Sequence, residues 1–253
     1  MPIAFPHKPG IVAYLTAGDP DLATTRDIAL AAIDNGADVI ELGVPFSDPL
    51  ADGPVIQRAS ERAVAKGTTL TQVLALAADL RKARPSAGII LFSYLNPVVR
   101  MGMKTFTAKA AEAGADGVLL TDMIVEEAGE YLAEMNANHL APVFLAAPTS
   151  PDARLKAIGE NSRGFVYAIS RVGITGTRDT VASDAPSLVA RIRQFTTLPI
   201  AVGFGISNAQ HVKAVGEFAD AAVIGSAIVA LIEKTSPAES AAAIGKFIAG
   251  LRP

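Results

Sequence analysis

The stretch VIELGVPFSDPLADGPVIQ, Val39 to Gln57, decides the fold. Val39 to Val44 is apolar except for Glu41 and reads as a buried strand, and turn residues from Pro45 to Pro54 end it. Outward in both directions the same unit recurs. Short runs rich in Val, Ile and Leu alternate with Ala-rich segments of helical period, the pattern of repeated βα units. The runs are Ile11 to Thr16, Val39 to Val44, Ile89 to Tyr94, Gly117 to Thr121, Pro142 to Ala146, Phe165 to Ile169, Ile200 to Phe204 and Ala221 to Ile224. From Asp21 to Asn35 the helical period puts Ile28, Ala31 and Ala32 on one face, with Asp21 as a cap and Gly36 as a terminator. A length of 253 residues suits one α/β barrel, so residues 1–253 read as a single (β/α)8 TIM-barrel domain.

Composition narrows the function. Half the residues are hydrophobic and 19% are charged, which excludes disorder and suits buried parallel strands under amphipathic helices. The net charge is −3 and Lys and Arg never cluster beyond a pair, so no nucleic-acid footprint is expected. There is no cysteine, hence no disulfide framework and no thiolate. Met1 to Gly10 lacks the apolar core of a signal peptide, and the longest apolar run, Ala221 to Ile232, is too short to span a bilayer. These features lead us to expect a cytoplasmic protein with no membrane partner.

Two connections are longer than the rest, Pro45 to Pro54 and Arg171 to Asp184, and both follow C-terminal strand ends, where barrel active sites are built. Glu41 shares its strand face with Val39 and Gly43. Either it points to the barrel axis, desolvated and with a raised pKa suited to proton donation, or a structural partner satisfies it. Asp52 alone reads as a turn aspartate. Its closeness to the strand of Glu41 allows it to face the same cavity, and two carboxylates in different settings can divide acid and stabilising roles.

Glycine-bearing turns at Gly173 to Gly176, Gly203 to Ser207 and Gly225 to Ile228 follow the last three strands. Barrels bind phosphate with such backbone N–H groups and the N-terminus of a short extra helix, for which Ser226 to Thr235 is the candidate. No lysine, among them Lys104, Lys156 and Lys213, falls at a strand end, so a Schiff-base aldolase has no nucleophile. His7, His139 and His211 are scattered and read as surface residues, which leaves a zinc aldolase without ligands and the chain without a metal site.

The stretches YLTAGDP (Tyr14 to Pro20), ELGVPFSDPLADGPVIQ (Glu41 to Gln57), ISRVGITGTR (Ile169 to Arg178) and VGFGIS (Val202 to Ser207) resemble the α subunit of tryptophan synthase. That resemblance implies a reverse aldol cleavage of indole-3-glycerol phosphate to indole and glyceraldehyde 3-phosphate. Protonated indole C3 is itself the electron sink, so no cofactor is implied for this chain. Pyridoxal phosphate is implied only for a partner β subunit in an α2β2 assembly. Glu41 matches the catalytic glutamate and Asp52 the aspartate that stabilises charge at the indole N–H. Gly176, Gly205, Gly225 and Ser226 match phosphate-binding positions. Tyr14, Phe92, Leu119, Tyr167 and Phe204 match the lining of the indole and glycerol groups, and Thr175 a lid residue.

Two departures from the family pattern stand out. MPIAFPHKPG is short and proline-broken where the family usually opens with a helix below the barrel, so that cover is expected to be missing or replaced. Ile124 stands where a proline commonly lies, which leaves the fourth loop's shape open. A sugar-phosphate isomerase would not need ELGVPFSDPLADGP, and an indole-glycerol-phosphate synthase would need a strand-end lysine. A pure activator of a partner, its own turnover lost, is disfavoured by the presence of both Glu41 and Asp52.

Overall fold

The computed structural model describes the chain apart from residues 1, 2, 4, 170–183, 204 and 253. Its strands are β1 (Gly10–Thr16), β2 (Val39–Gly43), β3 (Gly88–Ser93), β4 (Gly117–Leu120), β5 (Ala141–Val143), β6 (Leu145–Ala146), β7 (Val166–Ile169), β8 (Ile200–Gly203) and β9 (Ala221–Ile224). All pair in parallel, in the order β5-β4-β3-β2-β1-β9-β8-β7-β6. β5 and β6 are pieces of the one expected run Pro142 to Ala146, interrupted at Phe144, whose carbonyl accepts the Tyr167 N–H at 3.1 Å. The two ends of the sheet are thus consecutive pieces of one segment, and the sheet closes as the expected (β/α)8 barrel. Pairing on both sides explains why β1 and β2 are buried along their whole length.

Alternation along each strand sorts the side chains into two cores. Ile11, Leu15, Ile40 and Leu42 pack outward under the helices, while Val12, Val39, Ile90 and Leu119 fill the barrel interior. The helix Leu22–Asp34 starts as the sequence indicates, with the Asp21 carboxylate accepting the Thr24 N–H at 2.7 Å, and the chain leaves it through Gly36 at φ +109°. Ala29, rather than the expected Ala31, completes its buried face. β9 is followed by two helices, Ser226–Lys234 and Pro237–Leu251, so the first of them is the extra helix.

At the N-terminal end of the barrel an aspartate precedes each of β2, β4 and β9. Asp38 accepts the Ile11 N–H at 2.7 Å, Asp116 the Ile89 N–H at 2.8 Å and Asp220 the Ile200 N–H at 2.8 Å. Each also meets an arginine: Arg252 at 2.9 Å, Arg81 at 2.6 Å, and Arg193. Below the barrel the N-terminal stretch contributes side chains: Ile3 is buried in the interior core, and the Phe5 ring meets Phe165 edge-on at 5.8 Å. At Ile124 the backbone is extended, φ −89° and ψ 146°, near the value a proline imposes, and a single 3-10 turn, Val125–Glu127, follows. Isoleucine therefore keeps a loop path that proline also fits.

One histidine corrects the sequence reading. His211 is buried, because it lies in the first turn of the helix Ala209–Gly216, where its ring nitrogens meet the Ser207 N–H at 3.4 Å and the Asn208 amide at 3.3 Å. Among the described residues no helix is long and apolar enough to cross a membrane, and no cluster of three or more His, Asp or Glu could hold a metal.

Candidate active site

The pleat of β2 aims Glu41 into the barrel, with Tyr14 and Ile90 beside it in register. It is completely buried, and neither carboxylate oxygen has a hydrogen-bond partner among the described residues. The structural-partner alternative therefore finds no support there. A bare carboxylate in apolar surroundings costs several kcal/mol, so the group holds its proton instead. Burial pushes its pKa up to about 8.

Asp52 does sit in a turn, its N–H donating to the Pro49 carbonyl at 3.1 Å, yet its side chain faces the same cavity as Glu41. The Tyr94 hydroxyl donates to Asp52 Oδ2 at 2.9 Å and accepts the Ala51 N–H at 2.9 Å. Burial raises the Asp52 pKa to about 6, and the Tyr94 hydrogen bond opposes that rise. The two acids therefore stand at different protonation poise near neutral pH. Tyr94 also stacks against Phe46 at 5.2 Å, and Phe46 is tied through its own N–H and carbonyl to the Ser60 hydroxyl at 2.8 and 3.0 Å.

The cavity has an empty volume of about 830 Å³, its open mouth included. Tyr14, Phe92, Tyr167, Gly205, Gly225 and Ser226 line it together with Glu41 and Asp52. Two inward glycines make room for the tyrosines: a Cβ at Gly43 would overlap the Tyr14 hydroxyl, and one at Gly203 the Tyr167 hydroxyl. On the same cavity, Gly205 turns at φ +80°, and Gly225 caps the helix Ser226–Lys234, which has no side-chain cap hydrogen bond among the described residues. First-turn N–H groups, which a helix leaves without intrahelical acceptors, and the positive end of the helix dipole suit an anion.

Leu119 does not belong to the wall. It is fully buried in the barrel interior, and the next inward position two residues on, Thr121, reaches the cavity instead. Thr175, Gly176, Phe204 and the loop residues up to Ser183 lie outside the described residues. Sequence reasoning missed Tyr94, Ile56, Leu145 and Ile206. For Tyr94 a signal existed, a phenol closing a predicted strand at its C-terminal end; the aliphatic side chains carry none, since any core position looks the same.

The sequence profile of the family described as tryptophan synthase alpha chain matches residues 4–249. The tryptophan synthase alpha chain of Burkholderia lata is 47% identical over 245 residues, covering 97% of this chain and 90% of the relative. That of Solibacter usitatus is 50% identical over 236 residues, 93% and 87% of the two chains. Among solved structures, a chain of the tryptophan synthase a2b2 complex from Pyrococcus furiosus superposes with a TM-score of 0.90 at 38% identity, covering 96% of this chain and 97% of that one. A chain of Mycobacterium tuberculosis tryptophan synthase gives 0.88 at 36% identity, covering 96% and 93%.

Proposed function

Because the chain belongs to the tryptophan synthase alpha chain family, which cleaves indole-3-glycerol phosphate, we propose that Glu41 and Asp52 carry that cleavage here. The observation behind this is the buried carboxyl of Glu41, without a hydrogen-bond partner among the described residues, on the wall of an open cavity. With a pKa near 8 it holds a proton at neutral pH and delivers it to indole C3. The ring becomes an indolenine cation. Asp52, ionised above about pH 6, faces the indole N–H and offsets the charge that develops there. The bond between indole C3 and the carbinol carbon then breaks, its electron pair restores the aromatic ring, and the carbinol hydroxyl gives its proton to the Glu41 carboxylate. Glyceraldehyde 3-phosphate and indole result, and Glu41 ends protonated as it began.

Gly205, Gly225 and Ser226 hold the substrate phosphate by backbone N–H groups, and Tyr14, Phe92 and Tyr167 enclose the organic part. Gly176 is assigned to the phosphate, Phe204 to the wall and Thr175 to a lid on the resemblance alone. Leu119 supports the wall from beneath. The reaction needs no metal and no cofactor of this chain; pyridoxal phosphate belongs to the β subunit. We read residues 1–253 as one domain, acting in the cytoplasm in an α2β2 assembly.

The β subunit is the partner, and the exposed apolar residues suggest its seat. Leu50 is 91% exposed, Val99 58% and Ile124 43%, and they follow the neighbouring strands β2, β3 and β4 at the face that carries the cavity. Pressure on the loop tip would pass from Phe46 to Tyr94 and so to Asp52. The purified chain, incubated with indole-3-glycerol phosphate, is expected to release indole, and faster with a β subunit present. No indole under either condition would overturn the assignment.

A further inference from the structure

We propose that Arg62 is a positioning residue that fixes the distance between the acid-bearing half of the cavity and its anion-binding half. This rests on the placement of Asp52 and of the phosphate given above. Two helices run back from the cavity: Pro54–Ala65 begins one residue past Asp52 at its cap Gly53, and Ser226–Lys234 begins at its cap Gly225. Close to the cavity they meet through a buried cluster of Ala59, Val229 and Tyr14. Such an apolar contact is non-directional and does little to stop two helices sliding.

The directional contact lies farther along. Arg62 Nε and Nη2 donate to the two carboxylate oxygens of Asp19, each at 2.8 Å, and Arg62 Nη1 donates to Glu233 Oε1 at 2.8 Å. Arg58 holds both oxygens of the same Glu233, at 2.8 and 2.7 Å. Asp19 is buried in the turn after β1, so it is fixed to the sheet. One guanidinium thereby joins three elements: the top of β1, the helix that starts beside Asp52, and the helix whose start faces the phosphate. An isolated surface ion pair would matter little, but a planar fork engaged on two carboxylates at once sets an angle as well as a distance. A lysine ammonium has no such fork.

The substrate spans both halves, its ring against the acids and its phosphate at the helix start. Indole alone touches one half, and glycerol phosphate the other. Loosening the lock should therefore harm only the ligand that reaches across, since a displacement of about 1 Å between reacting groups costs on the order of a hundredfold in rate.

The test measures kcat/KM for indole-3-glycerol phosphate, and separately the inhibition by indole and by glycerol phosphate, in Arg62→Gln, Arg62→Lys and Glu233→Gln. For Arg62→Gln we expect kcat/KM to fall at least about tenfold while both inhibition constants stay within about twofold, with Arg62→Lys between it and the unaltered chain. Unchanged kinetics at 25 °C with only a lower Tm would overturn the proposal. So would weakening of one fragment in step with the substrate, which would place Arg62 inside a single half-site. Should Arg62→Gln fail to fold, Glu233→Gln must show the same split, or the proposal falls. If glycerol phosphate does not inhibit the unaltered chain, the phosphate placement is what fails, separately from the lock.

Discussion

The carboxylates that face the cavity and those on the N-terminal rim of the barrel are treated in opposite ways. At the N-terminal end Asp38, Asp116 and Asp220 each accept a backbone N–H of a neighbouring strand and meet an arginine. At the C-terminal end Glu41 has no partner among the described residues, and Asp52 has one neutral phenol. The same chemical group is stitching in one place and reagent in the other, and its neighbours make the difference. A carboxylate that is fully bonded has nothing left to offer a substrate; one left bare must hold a proton it can give away.

The strongest way to break this contrast is Glu41→Gln. Turnover should fall at least about a hundredfold, about 2.7 kcal/mol in the barrier, while the fold is kept. The fold should even gain at high pH. Because the folded-state pKa of Glu41 is raised to about 8, the native chain loses stability as pH climbs from the ordinary carboxylate range through 8, and the glutamine variant does not. Chemical unfolding at pH 5 and pH 9 reads this. Near-normal turnover, or a stability difference that does not grow with pH, would remove Glu41 from its role.

Next comes Asp116→Asn at the opposite end. It takes the charged acceptor from Arg81 and from the Ile89 N–H, and should cost about 2 kcal/mol of stability with kcat at 25 °C unaltered. A large fall in kcat in this variant would show that the division between the two ends is false.

A smaller effect sharpens the upper end. The rate should follow a bell in pH, rising through about 6 as Asp52 ionises and falling through about 8 as Glu41 loses its proton. Tyr94→Phe removes the hydrogen bond that lowers Asp52, so the acid limb should move up and the alkaline limb stay, with a loss on the order of tenfold at pH 6. Movement of both limbs together would argue against separate roles.

The smallest effect concerns the loop tip. Asp48→Ala and Pro49→Gly should each reduce the acceleration by the β subunit by a few fold, on the order of 1 kcal/mol or less, and leave the rate of the isolated chain in place. Equal acceleration of all variants would send the coupling elsewhere.

Strand positions were legible almost to the residue because a strand buried on both faces has to be an unbroken apolar run; Glu41 was visible as the residue that breaks one. Asp52 was legible only as half of a pair, since a turn aspartate looks the same whether or not it faces a cavity. Tyr94 stayed hidden because its partner lies in the loop after the neighbouring strand, 42 residues away. The lower rim left a trace that went unread: Ala37-Asp38, Ala115-Asp116 and Ala219-Asp220 repeat before three strands. Nothing in the sequence fixes which arginine, near or distant, will answer each aspartate. The burial of His211 was missed for a similar reason, because its two ring contacts come from the turn just before it and not from a recognisable motif.

The pairing of β1 with β9, and of Asp38 with Arg252, bears on how the protein is made. β1 emerges from the ribosome early and carries one open, apolar edge until β9 and Arg252 follow it, after most of the chain. A nascent chain therefore exposes a strand edge of the kind that recruits other strands, and the ring cannot close until β9 has been made. Arg252→Ala would leave Asp38 without its arginine, so a change that spares every catalytic group should still lower the soluble yield.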